Sequence, residues 1–314
     1  MGTGALGYHH ARLLRQVPHA ELVGIYDTDG ERAARVAREL ETVAFPSREA
    51  LLDRARAVTV AVPTPAHRAV GLAVIERGRA LLMEKPLADS LDGAEALVRA
   101  AAAAKVVLQV GHVERFNRAV RAAAPYLEEP RYLQTERLAP FQLRGSDVPV
   151  ILDLMIHDLD LVLELARSEV TDVRATGVAV LTPHVDIANA RVEFANGAVA
   201  NVTASRISRD RTRKLRIFQP TGYCSLDLAS GTGEFYRLKP GWQTLGATTL
   251  EAIVQHVRLD APEAEPLRLE LESFVRAALG EGDVVVTGAA GLQALALALR
   301  VADAVQASPL AAEP

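Results

Sequence analysis

Cysteine is all but absent from this chain. Cys224 is the only one among 314 residues, which excludes an internal disulfide and argues against a cysteine-based metal site. A surplus of positive charge is lacking too. The formal net charge of −4 and the pI near 6.1 give none of the basic footprint that nucleic-acid binders carry. Met1 opens directly onto a glycine-rich turn, without the apolar core of a signal peptide. No apolar run reads as long enough to span a bilayer; the nearest, around Ala100 to Val110, is interrupted by Lys105. Fixed-period repeats and low-complexity linkers are missing as well. These absences predict a cytoplasmic protein in a reducing setting, with neither nucleic acid nor membrane as a partner. Lysine is scarce: Lys85, Lys105, Lys214 and Lys239 are the whole supply, and arginine serves elsewhere.

What is present is globular. Hydrophobic residues make up 49% and charged residues 24% of the chain, and its length favours two domains over one core. In the first third, short β-rich runs alternate with helical patterns, which predicts βαβ units and a parallel sheet. Strands are expected over 21–26, 57–62, 80–83 and 106–111, with helices over 8–16, 30–40, 67–78 and 90–104. Beyond Asn117 the texture changes to one apolar helix over 148–165. Strands follow over 173–181, 187–194, 198–205, 214–219 and 223–228, with Asn196-Gly197 as a hairpin turn. Consecutive strands without helices between them predict an antiparallel sheet. Two amphipathic helices, over 266–279 and 289–306, close the chain. The expected fold is an α/β Rossmann domain, residues 1–117, followed by an α+β domain, residues 118–314, with an open-faced, mostly antiparallel sheet.

Three motifs carry chemistry. Gly2-Thr3-Gly4-Ala5-Leu6-Gly7 opens a helix, and this spacing lets a backbone approach a pyrophosphate while the helix start offers free N–H groups. Asp27 stands twenty residues after Gly7, at the end of the 21–26 strand, where a carboxylate can accept from both ribose hydroxyls. It is equally the type of residue that caps a helix in Asp27-Thr28-Asp29-Gly30. The two features together favour a dinucleotide, and the negative charge favours NAD over NADP. A doubly wound sheet needs a strand ahead of the glycine motif, yet only Met1 precedes Gly2. That first strand is therefore missing, and the slot between strands 21–26 and 57–62 is expected to be open or squeezed shut. A start assigned a few codons late, with five to eight upstream apolar residues, is the expected explanation.

The second motif is Glu84-Lys85-Pro86, which places a rare lysine at the end of a strand beside the expected cofactor crevice. A solvated loop lysine fits the tripeptide equally well. The third is Asp153-x-x-x-His157-Asp158-x-Asp160 on a helix that is otherwise apolar all round. Asp153, His157 and Asp160 share a face, and charged groups on a buried helix are expensive unless paired or functional. A structural Asp–His hydrogen bond is the competing reading. A metal site has little support, because no second cluster of ligand type appears. Val284-Val-Val-Thr-Gly288-Ala-Ala-Gly291 imitates a phosphate loop but lacks βαβ context, so it reads as a strand-to-helix turn. His9 and His10 are expected to flank the glycine loop without chemistry.

The set Gly2–Gly7, Ala61-Val-Pro-Thr-Pro65 with His67, Glu84-Lys85-Pro86 and Asp153-x-x-x-His157 resembles the Gfo/Idh/MocA oxidoreductase family, in order and over nearly the whole chain. That resemblance implies hydride transfer between a sugar carbon and NAD. It implies cofactor contacts from Gly2, Gly4, Ala5, Leu6, Gly7, Asp27, Pro63, Thr64, His67, Glu84 and Lys85. Lys85, Asp153 and His157 match its catalytic lysine, aspartate and histidine, with His157 as general base. A homo-oligomer, dimer or tetramer, joined through the second sheet is also implied. Val110–Asn117, Val150–Asp158 and Ala204–Ser208 are similar to the branch that oxidises C3 of UDP-sugars such as UDP-N-acetylglucosamine. Arg115 and Asn117 are expected to meet the sugar or its diphosphate, since an arginine fork suits phosphate oxygens. Two competing functions share the fold: a non-catalytic dinucleotide-binding regulator, and an NAD-dependent glycosidase.

Overall fold

The glycine-rich opening leads straight into helix α1 (Ala5–Leu14), which buries Ala11 and Leu13. The structure, a computed structural model, describes residues 1–143, 145–242 and 249–308. Helix α2 (Gly30–Glu39) starts where the Asp29 side chain accepts from the Arg32 amide, and α3 (Arg48–Arg54) where Ser47 accepts from the Ala50 amide. Strand β1 (Ala57–Val60), helix α4 (His67–Glu76), strand β2 (Ala80–Glu84), helix α5 (Leu91–Ala104) and strand β3 (Leu108–Gly111) complete the alternation. The three strands lie parallel in the order β1-β2-β3. Strands β2 and β3 are buried on both faces, as helix-covered parallel strands require.

Beyond this sheet come α6 (Arg118–Ala123), β4 (Tyr132–Leu138), a π-helical turn over Ile151–Met155, and α7 (Ile156–Ala166). Strands β5 (Val170–Val178), β6 (Ile187–Phe194), β7 (Val199–Ser205), β8 (Thr212–Gln219), β9 (Gly222–Asp227) and β10 (Thr232–Leu238) follow. Helix α8 (Leu250–Ile253), β11 (Val254–Leu259), α9 (Pro266–Ala278) and α10 (Gly288–Gln306) end the described chain. Eight strands pair in the order β11-β10-β9-β8-β4-β7-β6-β5. Every neighbour is antiparallel except β4 and β7, so the expected architecture forms with one parallel pair inside it. The Asn196-Gly197 turn is present, with Gly197 at φ +82°. The Val284–Gly291 stretch forms no laddered strand: it makes an isolated bridge at Thr287 and passes into α10, so of the expected strand-to-helix turn only the entry into the helix is present.

The chain folds as two compact units: Met1–Val113 with Ala264–Leu295, and Glu114–Glu263 with the chain from Ala296 onward. The expected division at residue 118 misses the return of 264–295 to the first unit. The reason is packing: Leu271, Phe274 and Val275 of α9 share one core with Leu13, Val17 and Leu82. A second correction concerns α10. By length and composition this helix could cross a membrane, although no such run was expected from the sequence. Its Ala294, Leu295, Leu297, Ala298, Val301 and Val305 are instead buried within the protein.

The 21–26 segment does not form a laddered strand. It makes one isolated bridge, Ile25 to Ala44. Met1 and Gly2 link it to β1: the Met1 amine donates to Thr59 O at 2.6 Å, Ala61 N–H donates to Met1 O, and Gly2 N–H donates to Tyr26 O. Below that link lies a cavity of about 770 Å³, lined on one side by Leu22–Ile25 and on the other by Ala57–Thr59, with Phe274 and Val275 from α9. The slot expected from the sequence is therefore open rather than squeezed shut.

Candidate active site

In the first unit the glycine loop is a fold of contacts that only hydrogen permits. A Cβ on Gly7 would stand 1.9 Å from Gly2 O, whereas one on Gly4 would meet nothing within 4 Å. Gly4 thus leaves open space at the start of α1, where no side chain caps the helix. That combination fits the approach of a pyrophosphate to the backbone. Ala5 and Leu6 supply the first-turn amides.

Asp27 holds this loop in place. Its carboxylate accepts from Thr3 N–H at 2.6 Å, Thr3 Oγ1 at 2.9 Å and Asp29 N–H at 2.9 Å, and Arg32 closes on it through Nε and Nη2 at 3.2 and 2.8 Å. Burial alone would raise its pKa. Arg32 and the donors of Asp29 and Thr3 outweigh that effect and hold the carboxyl well below the usual range. Asp27 is therefore an anion at the end of the 21–26 segment, and half-exposed Arg32 is the group a ribose would have to displace.

His67 joins two loops. Its Nδ1 lies 2.8 Å from Pro86 O and its Nε2 3.0 Å from Val62 O, with the ring fully buried. Burial lowers its pKa against both carbonyls, so the ring is neutral and donates to only one of them. The Pro63–Thr64 turn and the Lys85–Pro86 segment, whose peptide is cis, are thereby braced against each other. Buried Glu84 faces inward, 2.8 Å from His10 Nε2, and accepts the Lys85 amide at 3.2 Å. Gly111 makes room for it, since a Cβ there would stand 2.9 Å from the carboxylate. His10, expected merely to flank the loop, thus ties α1 to the Glu84-Lys85-Pro86 segment. No separate signal in the sequence marks that pairing, because the partners are 74 positions apart.

In the second unit Asp153 lies in the π-helical turn and His157 in the first turn of α7, both half-buried. The assumed α-helical spacing is widened there. Such π-turns are common at functional sites. Gly145, at φ +79°, lies directly over Asp153, since a Cβ would come within 2.6 Å of its Oδ2.

Arg115 and Asn117 have structural occupations that differ from the expected contact with substrate. The buried Arg115 side chain grips Asp160 through Nε at 2.6 Å and Nη2 at 2.8 Å, and Glu164 through Nη1. The Asn117 amide donates to Glu114 and Leu228 O while its oxygen caps α6. Their partners lie up to 111 positions away, which local sequence does not disclose. Next to them, buried Arg137 donates to Asp158 at 2.8 and 2.9 Å and to Glu114 at 2.8 Å. Burial opposes its charge, but the two carboxylates outweigh it and keep the guanidinium protonated.

This architecture has known counterparts. The description "Oxidoreductase family, NAD-binding Rossmann fold" matches residues 1–112, and "GFO/IDH/MocA C-terminal domain" matches residues 109–224. The chain belongs to the Gfo/Idh/MocA oxidoreductase family. Like other members it is an NAD-binding dehydrogenase. UDP-N-acetylglucosamine 3-dehydrogenase of Acidithiobacillus ferrooxidans is 40% identical over 314 aligned residues, covering 98% of this chain and 96% of that protein. A solved structure of that enzyme superposes with a TM-score of 0.89 at 39% identity, covering 98% of this chain and 96% of that one. The NAD-dependent scyllo-inositol 2-dehydrogenase of Bacillus subtilis is 33% identical over 227 residues, 66% of each chain. In this Gfo/Idh/MocA chain, the open approach at Gly4 and the anionic Asp27 fit NAD.

Proposed function

We propose that this enzyme oxidises the C3 hydroxyl of a UDP-sugar, of the UDP-N-acetylglucosamine type, to the 3-keto sugar nucleotide. The reading rests on the 40% identity that runs through 98% of this chain and 96% of the Acidithiobacillus enzyme. NAD, when bound, supplies the hydride acceptor. Gly2, Gly4, Ala5, Leu6 and Gly7 would hold its diphosphate, Asp27 its adenine ribose, and the Pro63–Thr64 turn the rest, with His67 and inward-facing Glu84 bracing the loops behind it. His157 takes the proton from the sugar hydroxyl, and Asp153 orients the imidazole. Lys85 donates to the reacting oxygen as negative charge develops on it. A positioned base of near-neutral pKa contributes roughly 10²–10⁴-fold. Incubating the protein with NAD and a panel of UDP-sugars, while following nicotinamide absorbance and product mass, tests the reading. A ketosugar nucleotide with matching NADH is expected. Cleavage of a glycoside without net reduction, or no reaction at all, would replace it.

We further infer a cytoplasmic homo-oligomer joined through the eight-stranded sheet. In its favour, Tyr132, Phe218, Tyr223, Tyr236 and His256 form a row across five neighbouring strands, with successive ring centroids 4.6–5.8 Å apart and Phe218 exposed. Light scattering of Phe218→Asp against wild type checks it, a smaller assembly being expected.

A further inference from the structure

A small cavity of about 120 Å³ in the second unit is lined by Asp153 together with Arg137, Arg206, Arg211 and Arg213. Four guanidinium groups around one carboxylate is an arrangement that folding alone does not favour. Two of the four are held in place by the protein itself, although Arg206 keeps its buried Nε without a hydrogen bond. Arg137 is saturated by Asp158 and Glu114. Arg206 donates to the carbonyls of Gly145 and Val148 and stands 3.5 Å from Asp186.

The other two are not. Arg213 reaches only a 3.7 Å ion pair with Glu114, whose oxygens already serve Arg137 and Asn117. It also sits in direct register with Arg137 across the β4–β8 pair, and like charges opposed on neighbouring strands repel. Burial first, and then Arg137, make its protonated form harder to hold. Arg211 makes no hydrogen bond or ion pair among the described residues, although it lines the same cavity. It stands two positions before Arg213, just ahead of β8, and is exposed, as an arginine open to an incoming anion would be. Two under-used planar forks therefore converge on a space about four water volumes in size.

We infer that this cavity seats the diphosphate of the substrate, with Arg211 and Arg213 as its binding residues. The inference rests on the UDP-sugar reading above and specifies how the enzyme tells a sugar nucleotide from a free sugar. Arginine forks match phosphate oxygens in pairs, and an anion at this point removes the repulsion between Arg213 and Arg137. Asp153 shares the cavity wall, so the diphosphate lies toward the arginines while the sugar extends toward Asp153 and His157. Arg209-x-Arg211-x-Arg213 is the trace of this in the sequence, three cations at strand spacing.

Calorimetry of UDP binding to the NAD-loaded enzyme tests it without turnover. Wild type should bind UDP, with affinity that falls as salt is raised. Arg211→Gln and Arg213→Gln should each weaken binding about tenfold or more, and the double variant about a hundredfold. Arg211→Lys should recover part of the loss, and melting curves should show the variants folded. In turnover, KM for the UDP-sugar should rise far more than kcat changes. Unchanged UDP affinity in the double variant overturns the inference, as does uridine binding as tightly as UDP. The two readings separate cleanly. Turnover of UDP-sugars with unaltered UDP affinity in the variants keeps the reaction and removes the site. UDP binding that depends on both arginines, without oxidation of any UDP-sugar, keeps the site and removes the reaction.

Discussion

Asp27 anchors the glycine loop through Thr3, and Arg32 occupies its remaining lone pairs; in the proposed reading the same carboxylate is the negative charge that selects NAD. Asp27→Arg should therefore turn coenzyme preference toward NADP, because a guanidinium pairs with a 2′-phosphate. The same substitution strips the Thr3 amide of its acceptor, which costs about 1–3 kcal/mol where a buried donor is left unmade. Coenzyme KM ratios and a denaturant melt check the two effects, and a wild type that already prefers NADP would sink the assignment. Lys85 acts on the sugar oxygen in the proposed reaction, while its amide and its neighbours hold the loop. Lys85→Met should abolish turnover and leave NAD affinity, measured by fluorescence quenching, nearly intact. Near-native turnover would make it a loop lysine.

Elements were legible where periodicity and burial agree. Helices α2, α4 and α5 and strands β1 and β2 start and stop within a few residues of expectation. Strand β4 escaped notice because its inward row ends in a charge: Leu133, Thr135 and Arg137 are all buried, and the partners that neutralise Arg137 lie at 114 and 158. Strands β10 and β11 hide for a related reason, with charged or polar residues at most outward positions. The π-turn carrying Asp153 cannot be read from spacing, since i and i+4 suit an α-helix equally well. Its presence sharpens one expectation. His157→Asn keeps a polar side chain at the start of α7, so the fold should survive while the rate falls by roughly 10²–10⁴-fold. Circular dichroism alongside pre-steady-state NADH formation checks it, and a parallel loss of fold and rate would make His157 a structural residue.

At the scale of the whole molecule, the first unit carries a large cavity between Leu22–Ile25 and Ala57–Thr59. The Ala80 amide donates to Arg56 O, which turns alternate groups of β1 toward β2 and leaves those of Ala57 and Thr59 facing the cavity. Met1 already makes one rung of a parallel ladder there, through Thr59 O and Ala61 N–H. In a polypeptide that starts at Met1 its amine is fully buried, and burial pushes its pKa down from 8.0 to about 5, against the pull of Asp27. A base depressed on folding is protonated more readily in the unfolded chain, so stability should rise with pH between about 5 and 8. An extension of five to eight Val, Ile and Ala residues ahead of Met1 would continue the ladder into the cavity and replace the amine by an amide. Each added hydrogen bond is worth about 0.5–1.5 kcal/mol, against a net stability of roughly 5–15 kcal/mol. Melting should therefore rise on the order of 10 °C. The slope between pH 5 and 8 should flatten, and NAD should shift the melt further, because the glycine loop hangs from Met1. A Gly-Ser extension of equal length removes the amine without filling the cavity, so it should flatten the slope but not raise the melt. If both extensions melt alike and respond equally to NAD, the cavity is not a strand position and the sheet ends at β1.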